Sequence, residues 1–301
     1  MSAPVPVSSA GVPSLPVVGR LPPPPSGLLH LGNVCAFAAA WLSARADDGR
    51  LLLRIEDVDR TRARADVEQA IREDLAWLGL TWDAETPRQT ARDYAPVLTQ
   101  LAPRLYRCQC TRAMRERPTP AGAGCPGDCA DRGFTEGALR FRLKPGSMTF
   151  VDRRWGVQSA DARAYGDPIL VRRDGLVSYN LAVVADDIAD GVTDVVRGSD
   201  LLGYTTVQIQ LWEALGATPP RWLHAPLVLG DDGRKLSKSH GSAHVGMLRD
   251  AGASPADLWR IVLPWRGIDA AAGLHDALPR WRPDGGPRGP IAFREPSPAT
   301  P

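Results

Sequence analysis

Two widely separated stretches of this chain carry groups suited to an anionic ligand. The first, "PPPPSGLLHLGN" at 22–33, sets His30 two residues before Gly32. The second, "GRKLSKSHG" at 233–241, sets Lys235 and Lys238 around Leu-Ser. Gly27 and Gly32 allow a ligand to approach the backbone closely. If a helix opens at this point, its first-turn amides attract phosphate, and His30 can donate a hydrogen bond to a phosphate oxygen. Two ammonium groups on a serine-bearing loop can neutralise the charge that develops as pyrophosphate leaves a triphosphate. Taken singly, each stretch has a blander reading, a core histidine before a helix and a solvated turn. Their occurrence together, after an early strand and after a late one, favours the chemical reading.

A third group is Cys108, Cys110, Cys125 and Cys129. A Cys-x-Cys pair and a Cys-x-x-x-Cys pair supply four thiolates for a tetrahedral zinc ion. On an extended strand Cys108 and Cys110 point to the same side, and the Pro-Gly turn in "CPGDC" returns the second pair toward them. Four protein ligands close the site, so one structural zinc is expected. Cys35, within an alanine-rich segment, reads as a small core residue.

The elements that position these groups follow from the hydrophobic pattern. A strand is expected over Val17 to Leu21, a buried helix over Gly32 to Asp48, a strand at "LLLRIED", and an amphipathic helix over 64–78 with Val67, Ile71, Leu75 and Leu78 on one face. Strand and helix alternating in this way indicate a doubly wound α/β unit with a parallel sheet. The rhythm breaks over 106–165, which reads as an inserted α+β subdomain carrying the metal. From Pro168 the sheet is expected to resume, with "ILVRRDGLVSYNLAVVADD" a hairpin turning at Asp174-Gly175. A helix near 201–215, a strand at "APLVLG", the lysine loop and a helical stretch over 242–262 follow. The organisation expected is therefore a disordered segment 1–16, a catalytic nucleotide-binding domain over 17–105 and 166–241, the insertion 106–165, a helical segment 242–265, and a mostly irregular, poorly ordered tail 266–301.

Composition sets the outer limits. The chain has 301 residues, with 36 basic against 34 acidic side chains and a formal charge of +2, so any nucleic-acid surface must be local. No apolar run reaches the roughly 18 residues of a membrane span. The first residues lack a basic region and are broken by prolines, which argues against a signal peptide. Five cysteines in a chain of this length do not make a disulfide scaffold, and a cytoplasmic protein is expected.

"HLGN" and "KLSKS" together resemble the two nucleotide-binding motifs of class I aminoacyl-tRNA synthetases. "LLLRIEDVDRTR" at 51–62 resembles the "RIEDTD" stretch of glutamyl-tRNA synthetases, and "SYNLAVVADDIADGVTDVVRGSDLLGYT" at 178–205 resembles their later active-site block. The resemblance runs from Gly19 to Trp265. It implies a Rossmann-like class I catalytic domain with the zinc-bearing insertion as its acceptor-binding part. It also implies ATP and L-glutamate as substrates, with Mg2+ accompanying ATP. His30, Lys235 and Lys238 are then the catalytic residues, and His30, Gly32, Asn33 and Lys238 the ATP contacts. Glutamate is expected to meet Arg20, Leu21, Pro22, Pro23, Pro24, Glu56, Tyr179 and Arg197. The chemistry is consistent: the ammonium needs an acid, for which Glu56 is placed at a strand end, and carboxylates favour the bidentate fork of Arg20 or Arg197. An ion pair of Glu56 with Arg54 or Arg60 is the structural alternative. Family members read "RFAPSPSG" where this chain reads "RLPPPPSG". Pro24 thus stands where a serine helps hold glutamate, and offers neither hydroxyl nor amide hydrogen.

"YRCQCTR" also resembles the zinc-bearing stretch of the small glutamyl-queuosine synthetases, in which a tyrosine is often the third ligand; Cys125 stands at that place here. Full glutamyl-tRNA synthetases continue beyond the lysine loop into helical domains that grip the anticodon, whereas about sixty residues follow Lys238. The resemblance therefore implies a monomer that transfers glutamate to queuosine in the anticodon stem-loop of tRNA(Asp). A truncated glutamyl-tRNA synthetase charging tRNA(Glu), and a non-catalytic zinc-bearing RNA-binding module, are the competing readings.

Overall fold

The computed structural model describes residues 16–111, 114, 125, 128–230, 232–236 and 244–293. The expected disordered segment 1–16 lies outside them but for Pro16, as do Lys238 and the end of the tail.

The chain opens with strand β1 (Val18–Leu21), which runs parallel to β2 (Arg50–Leu53) with Val18 opposite Arg50 and Leu21 opposite Leu53. Between them lies helix α1 (Leu31–Ala46). His30 caps it: its Nδ1 accepts the Asn33 N–H at 3.3 Å, and Asn33 Oδ1 accepts the His30 N–H at 3.2 Å. Alanine and large apolar residues alternate along α1, so Val34, Cys35, Phe37, Trp41 and Leu42 are all buried, and the helix lies within the core. Gly49 follows because a Cβ there would lie 2.7 Å from the Val17 carbonyl oxygen. Helix α2 (Ala65–Trp77) buries Val67, Ile71 and Leu75 on one face, and β3 (Ala84–Glu85) adds to β2 in parallel.

A second sheet continues this plane. Strand β9 (Asp194–Gly198) lies beside β1, where Thr193 N–H donates to the Val18 carbonyl at 2.9 Å. Strand β10 (Arg221–Ala225) pairs in parallel with β9 and with β6 (Ser147–Asp152), and β6 forms a hairpin with β7 (Gly156–Asp161). The parallel order is thus β3-β2-β1, then β9-β10-β6, with the chain reversing its direction of growth between β1 and β9. Helices α4 (Tyr179–Ala189) and α5 (Thr205–Ala214) pack with the insertion side of the molecule. The seven-residue α3 (Ala95–Leu101) leads into a separate antiparallel sheet of β4 (Leu105–Cys108), β5 (Ala138–Phe141) and β8 (Ile169–Val171).

Several expectations change in detail. The line drawn at 165 and 166 does not coincide with a change of sheet: β6 joins the parallel sheet, whereas β8, beyond that line, joins the antiparallel one. Alternation marks a strand but does not name its partner. The turn at Asp174-Gly175 forms, with Arg172 N–H donating to Leu176 C=O at 2.8 Å, but its second arm ends at the single bridge of Val177 to Val171. "YNLAVVADDIA" is helix α4, buried from Leu181 to Asp187. The strand expected at "APLVLG" is divided, because Pro226 supplies no N–H to the ladder; β10 ends at Ala225 and β11 is Val228–Leu229. The helical stretch after the lysine loop is likewise two pieces, α6 (Val245–Asp250) and α7 (Pro255–Val262), separated at Gly252 with φ +91° and restarted by a Ser254–Asp257 capping box.

Over its described residues, 266–293, the tail has few regular elements but is packed against the core. Ile268, Leu274, Ala277 and Trp281 are buried in the main core, with α8 (Leu274–Ala277) against α1. Strand β12 (Ile291–Ala292) pairs with β11, and Arg154 donates to the Gly285 and Pro287 carbonyls. Proline and glycine forbid regular ladders without forbidding packing, and arginine side chains satisfy the backbone carbonyls instead.

Candidate active site

Open parallel sheets bind ligands beyond the carboxyl ends of their strands, where the strand order reverses. That point lies between β1 and β9. Arg20 comes from β1, Glu56 from the segment after β2, Arg197 from β9, and Tyr179 from the first turn of α4. Arg20 and Arg197 are buried, whereas Tyr179 keeps 39% of its surface open. Glu56 and Tyr179 share the wall of a cavity of about 260 Å3 with Pro24, Pro25, Ser26, Val58 and Ser178, and Asp59, Arg62 and Arg172 stand among its other lining residues. Arg20 and Arg197 lie behind that wall. Their charges still act on it: both favour the ionised form of Tyr179, against the effects of burial and of Glu56.

The wall combines a buried acid with guanidinium groups that oppose its neutralisation. Burial raises the pKa of Glu56, opposed by Arg54 and Arg20. Arg54 Nη2 donates to Glu56 Oε1 at 3.2 Å, so the ion pair considered as an alternative exists alongside the open face of the carboxyl. Behind it, Asp187 accepts from Arg54 at 2.6 Å and from Arg20 at 3.2 Å. Burial alone would raise the Asp187 pKa, but the two guanidinium groups hold it below the usual value. Burial pulls Arg54 downward and the neighbouring carboxylates more than reverse this, leaving it raised. Arg197 is lowered, chiefly by burial.

Of the other residues expected at the amino-acid pocket, Pro24 lines the cavity, while Leu21, Pro22 and Pro23 do not. Leu21 is a core residue, and the Pro23 carbonyl accepts the Glu56 N–H at 3.1 Å. Only Pro23 among these three is bonded to a residue of the wall, through its backbone.

The other expected group of residues, at the start of α1, is built around His30. Since Nδ1 accepts from Asn33 N–H, the proton of the neutral ring is on Nε2, leaving that nitrogen as the donor. Gly32 fits closely over the same ring: a Cβ there would lie 2.9 Å from His30 Cε1. Lys235 pairs with Asp200 at 2.5 Å and is half exposed, so in this conformation it is held by a carboxylate.

Cys108, Cys110, Cys125 and Cys129 converge, all buried, with their sulfur atoms within 4.8 Å of one another. Cys110 Sγ lies 3.6 Å from Cys125 Sγ and 3.5 Å from Cys129 Sγ. A tetrahedral site with metal–sulfur bonds of about 2.3 Å requires sulfur separations near 3.8 Å, so the donor set and spacing fit a metal ion of that size. Gly137 supports the end of β4: at φ +116° it passes so close to Cys108 that a Cβ would lie 2.4 Å from its carbonyl oxygen.

Sequence reasoning missed Asp187, His224, Asp152, Thr205 and Gln208, which surround Arg20 and Arg197. The doubled aspartate within the apolar run "NLAVVADDIA" was a signal: acids on a buried helix face require partners. His224 and Asp152 carried no local signal.

A family model described as tRNA synthetases class I (E and Q), catalytic domain, matches residues 16–119 and 130–273. A glutamyl-Q tRNA(Asp) synthetase of Nitratidesulfovibrio vulgaris is 43% identical over 270 residues, covering 80% of this chain and 83% of its own. Proteins of the same name from Symbiobacterium thermophilum and Pseudomonas aeruginosa are 40% and 45% identical, covering 79% and 75% of this chain and 82% and 78% of theirs. Among solved structures, the glutamate-tRNA synthetase of Elizabethkingia anophelis aligns over 93% of this chain and 68% of its own with a TM-score of 0.75, at 22% identity, which speaks to the fold. With its parallel sheet, capped first helix and cysteine-bearing insertion, the chain belongs to the class I tRNA synthetases of the E and Q type, in the group of the glutamyl-Q tRNA(Asp) synthetases.

Proposed function

We propose that this protein activates L-glutamate with ATP and transfers the glutamyl group to queuosine in the anticodon of tRNA(Asp). The observation that carries the reading is the cleft between β1 and β9, where an acid opens onto the cavity in front of two buried guanidinium groups, in a chain 43% identical to a glutamyl-Q tRNA(Asp) synthetase over most of both lengths. No side-chain nucleophile is needed. An α-carboxylate oxygen of glutamate attacks the α-phosphorus of ATP, the bond to the β,γ-phosphates breaks, and pyrophosphate leaves. A hydroxyl of queuosine then attacks the glutamyl carbonyl, loses its proton, and AMP departs.

The protein's part is positioning and charge neutralisation. Glu56 holds the ammonium, Tyr179, Arg20 and Arg197 orient the carboxylates, and Pro24 contributes shape alone. His30 Nε2–H, Gly32, Asn33 and the first turn of α1 hold phosphate oxygens. Lys238 and Lys235 neutralise the leaving pyrophosphate, Lys235 first exchanging its bond to Asp200. Bound Mg2+ would offset triphosphate charge. The four cysteines would hold one zinc ion, whose closed shell supplies structure to the insertion. Among the described residues no helix is long and apolar enough to cross a membrane; the reading is of a monomer acting in the cytoplasm on the tRNA(Asp) anticodon stem-loop.

Incubation with labelled glutamate, ATP and purified RNAs tests this. Label is expected on queuosine-containing tRNA(Asp), little on tRNA(Asp) lacking queuosine, and none on the end of tRNA(Glu). Label on tRNA(Glu) that persists without queuosine-bearing species overturns the assignment.

A further inference from the structure

Arg197 and Arg20 are both buried at the site, but they are held in different ways. Arg20 shares Asp187 with Arg54. The hydrogen bonds of Arg197 among the described residues go to uncharged groups: Nε to His224 Nε2 at 3.0 Å, Nη1 to Gln208 Oε1, Nη2 to Thr205 Oγ1 at 2.8 Å and the Leu201 carbonyl at 3.5 Å, and a further side-chain bond to the Tyr179 phenol. Its guanidinium also lies over the Trp222 ring, 4.9 Å from the centroid. The fork is therefore fixed in direction with no bonded carboxylate cancelling its charge.

The sheet places the parts of this cradle in line. Arg197 on β9 and His224 on β10 are register partners, and Asp152 ends the next strand, β6, opposite Trp222. His224 Nδ1 lies 2.6 Å from Asp152 Oδ2, and the ring is wholly buried. A carboxylate only accepts, so the ring proton belongs on Nδ1, which leaves Nε2 as an acceptor for the Arg197 Nε–H, with Thr205 Oγ1 3.2 Å from the same nitrogen. The opposite tautomer would set two donors against each other at 3.0 Å. Burial depresses the His224 pKa to about 4, with Asp152 opposing, which agrees with a neutral ring.

We infer that Asp152 and His224 are positioning residues for glutamate recognition: Asp152 fixes the tautomer of His224, and His224 aims Arg197 without neutralising it. An acid in the place of His224 would aim the fork equally well, yet would compete with the substrate carboxylate for its charge. Placing the aspartate one side chain further away keeps the orientation and leaves the charge for the ligand. This rests on the proposed reading that Arg197 meets a carboxylate of glutamate.

Asp152→Asn is the decisive variant. Asp152 Oδ1 accepts the N–H groups of Arg154 and Trp155, each at 2.9 Å, so an asparagine must keep its oxygen there and turn its amide nitrogen toward His224. That donor moves the ring proton to Nε2, against Arg197, while the turn and the volume remain. In glutamate-dependent ATP–pyrophosphate exchange, run with and without tRNA, the KM for glutamate should rise roughly tenfold to a hundredfold, the scale of a lost bond to a charged group. The KM for ATP should stay within about threefold and the melting temperature near that of the parent, if the effect is confined to this cradle. Nitrogen-15 spectra of the ring should report Nδ1–H in the parent and Nε2–H in the variant. His224→Gln, with an acceptor oxygen and a donor amide, should restore most of the affinity that His224→Leu removes.

A switched tautomer with unchanged glutamate KM overturns the inference, as does an unswitched tautomer or an equal rise in both KM values. Arg197→Gln separates the two levels. If it raises the glutamate KM while Asp152→Asn is silent, the positioning chain alone falls; if both are silent, the assignment of Arg197 to glutamate falls with it.

Discussion

Glu56→Gln gives the most direct test of the amino-acid pocket. The substitution keeps shape and removes charge, so an ammonium ligand loses its counterion while the backbone bond from Glu56 N–H to Pro23 C=O remains. Removing one member of a desolvated charge pair costs roughly 2–5 kcal/mol. Two features place this site at the low end. The Glu56 side chain retains 9% exposure, and its Oε1 already accepts from Arg54 at 3.2 Å, so the incoming ammonium gains only part of the carboxylate's charge. A loss of about 2–3 kcal/mol corresponds to a roughly 30- to 150-fold rise in the glutamate KM.

The assay is ATP–pyrophosphate exchange over a range of glutamate concentrations, and its pH dependence adds a second signature. Burial raises the Glu56 pKa in the ligand-free protein. Below that raised value the carboxyl is protonated, and binding an ammonium must expel the proton, so glutamate affinity falls as pH falls through the raised pKa. The glutamine variant has no such proton and its affinity should be flat over the same window. A glutamate KM within threefold of the parent, or an equally steep pH dependence in Glu56→Gln, would refute the placement of the ammonium.

Two further outcomes bear on stability. Purified protein should contain about one zinc per chain, lost in Cys108→Ser or Cys129→Ser, with the insertion opening to protease before exchange activity falls; metal-free protein with four reduced, reagent-accessible cysteines would count against this. Asp74 is buried, and among the described residues its Oδ2 has no hydrogen-bond partner while its Oδ1 accepts from Arg249 at 3.3 Å. Burial raises its pKa from 3.8 to about 6, so the folded state holds the proton more tightly than the unfolded chain, and stability declines as pH rises between those values. Asp74→Asn should therefore melt higher than the parent at pH 8 and lose that advantage at pH 4; a pH-independent difference in melting temperature would exclude this account.

The first strand–helix unit and the cysteine cluster were readable because each is specified locally. "VGRLPPPPSGLLHLGN" contains the strand, the bend, the cap and the helix start in consecutive residues. Four cysteines within one segment have few uses other than meeting. What stayed hidden depends on long-range pairing. "MTFVDRRWGVQ" lies in the segment read as an α+β insertion, yet the tertiary structure sends β6 to β10 and so brings Asp152 to His224. Pro23 and Leu21 stand in the motif but act through the backbone and the core, a distinction that side-chain type cannot reveal. The packing of the tail was hidden for the same reason: its composition reports the absence of regular ladders, while its packing depends on Trp281, Ile268 and the arginines that bond its carbonyls.

The pairing of a histidine motif near the start with a lysine loop some two hundred residues later also acquires a mechanical sense. The described residues that bound the loop are tied to the start of α1 and to the tail. After the loop, His244 forms a backbone bridge with His30, and Val245 N–H donates to Leu29 C=O at 2.8 Å. Before it, β11 is flanked by β12 from the tail, and Leu229 bridges to Lys235. The described residues on either side of the lysine segment are therefore anchored, those after it to the cap of α1 itself. The ion pair of Lys235 with Asp200 fits this arrangement: an exposed pair contributes little to stability, so the bond is readily exchanged when a more highly charged partner arrives.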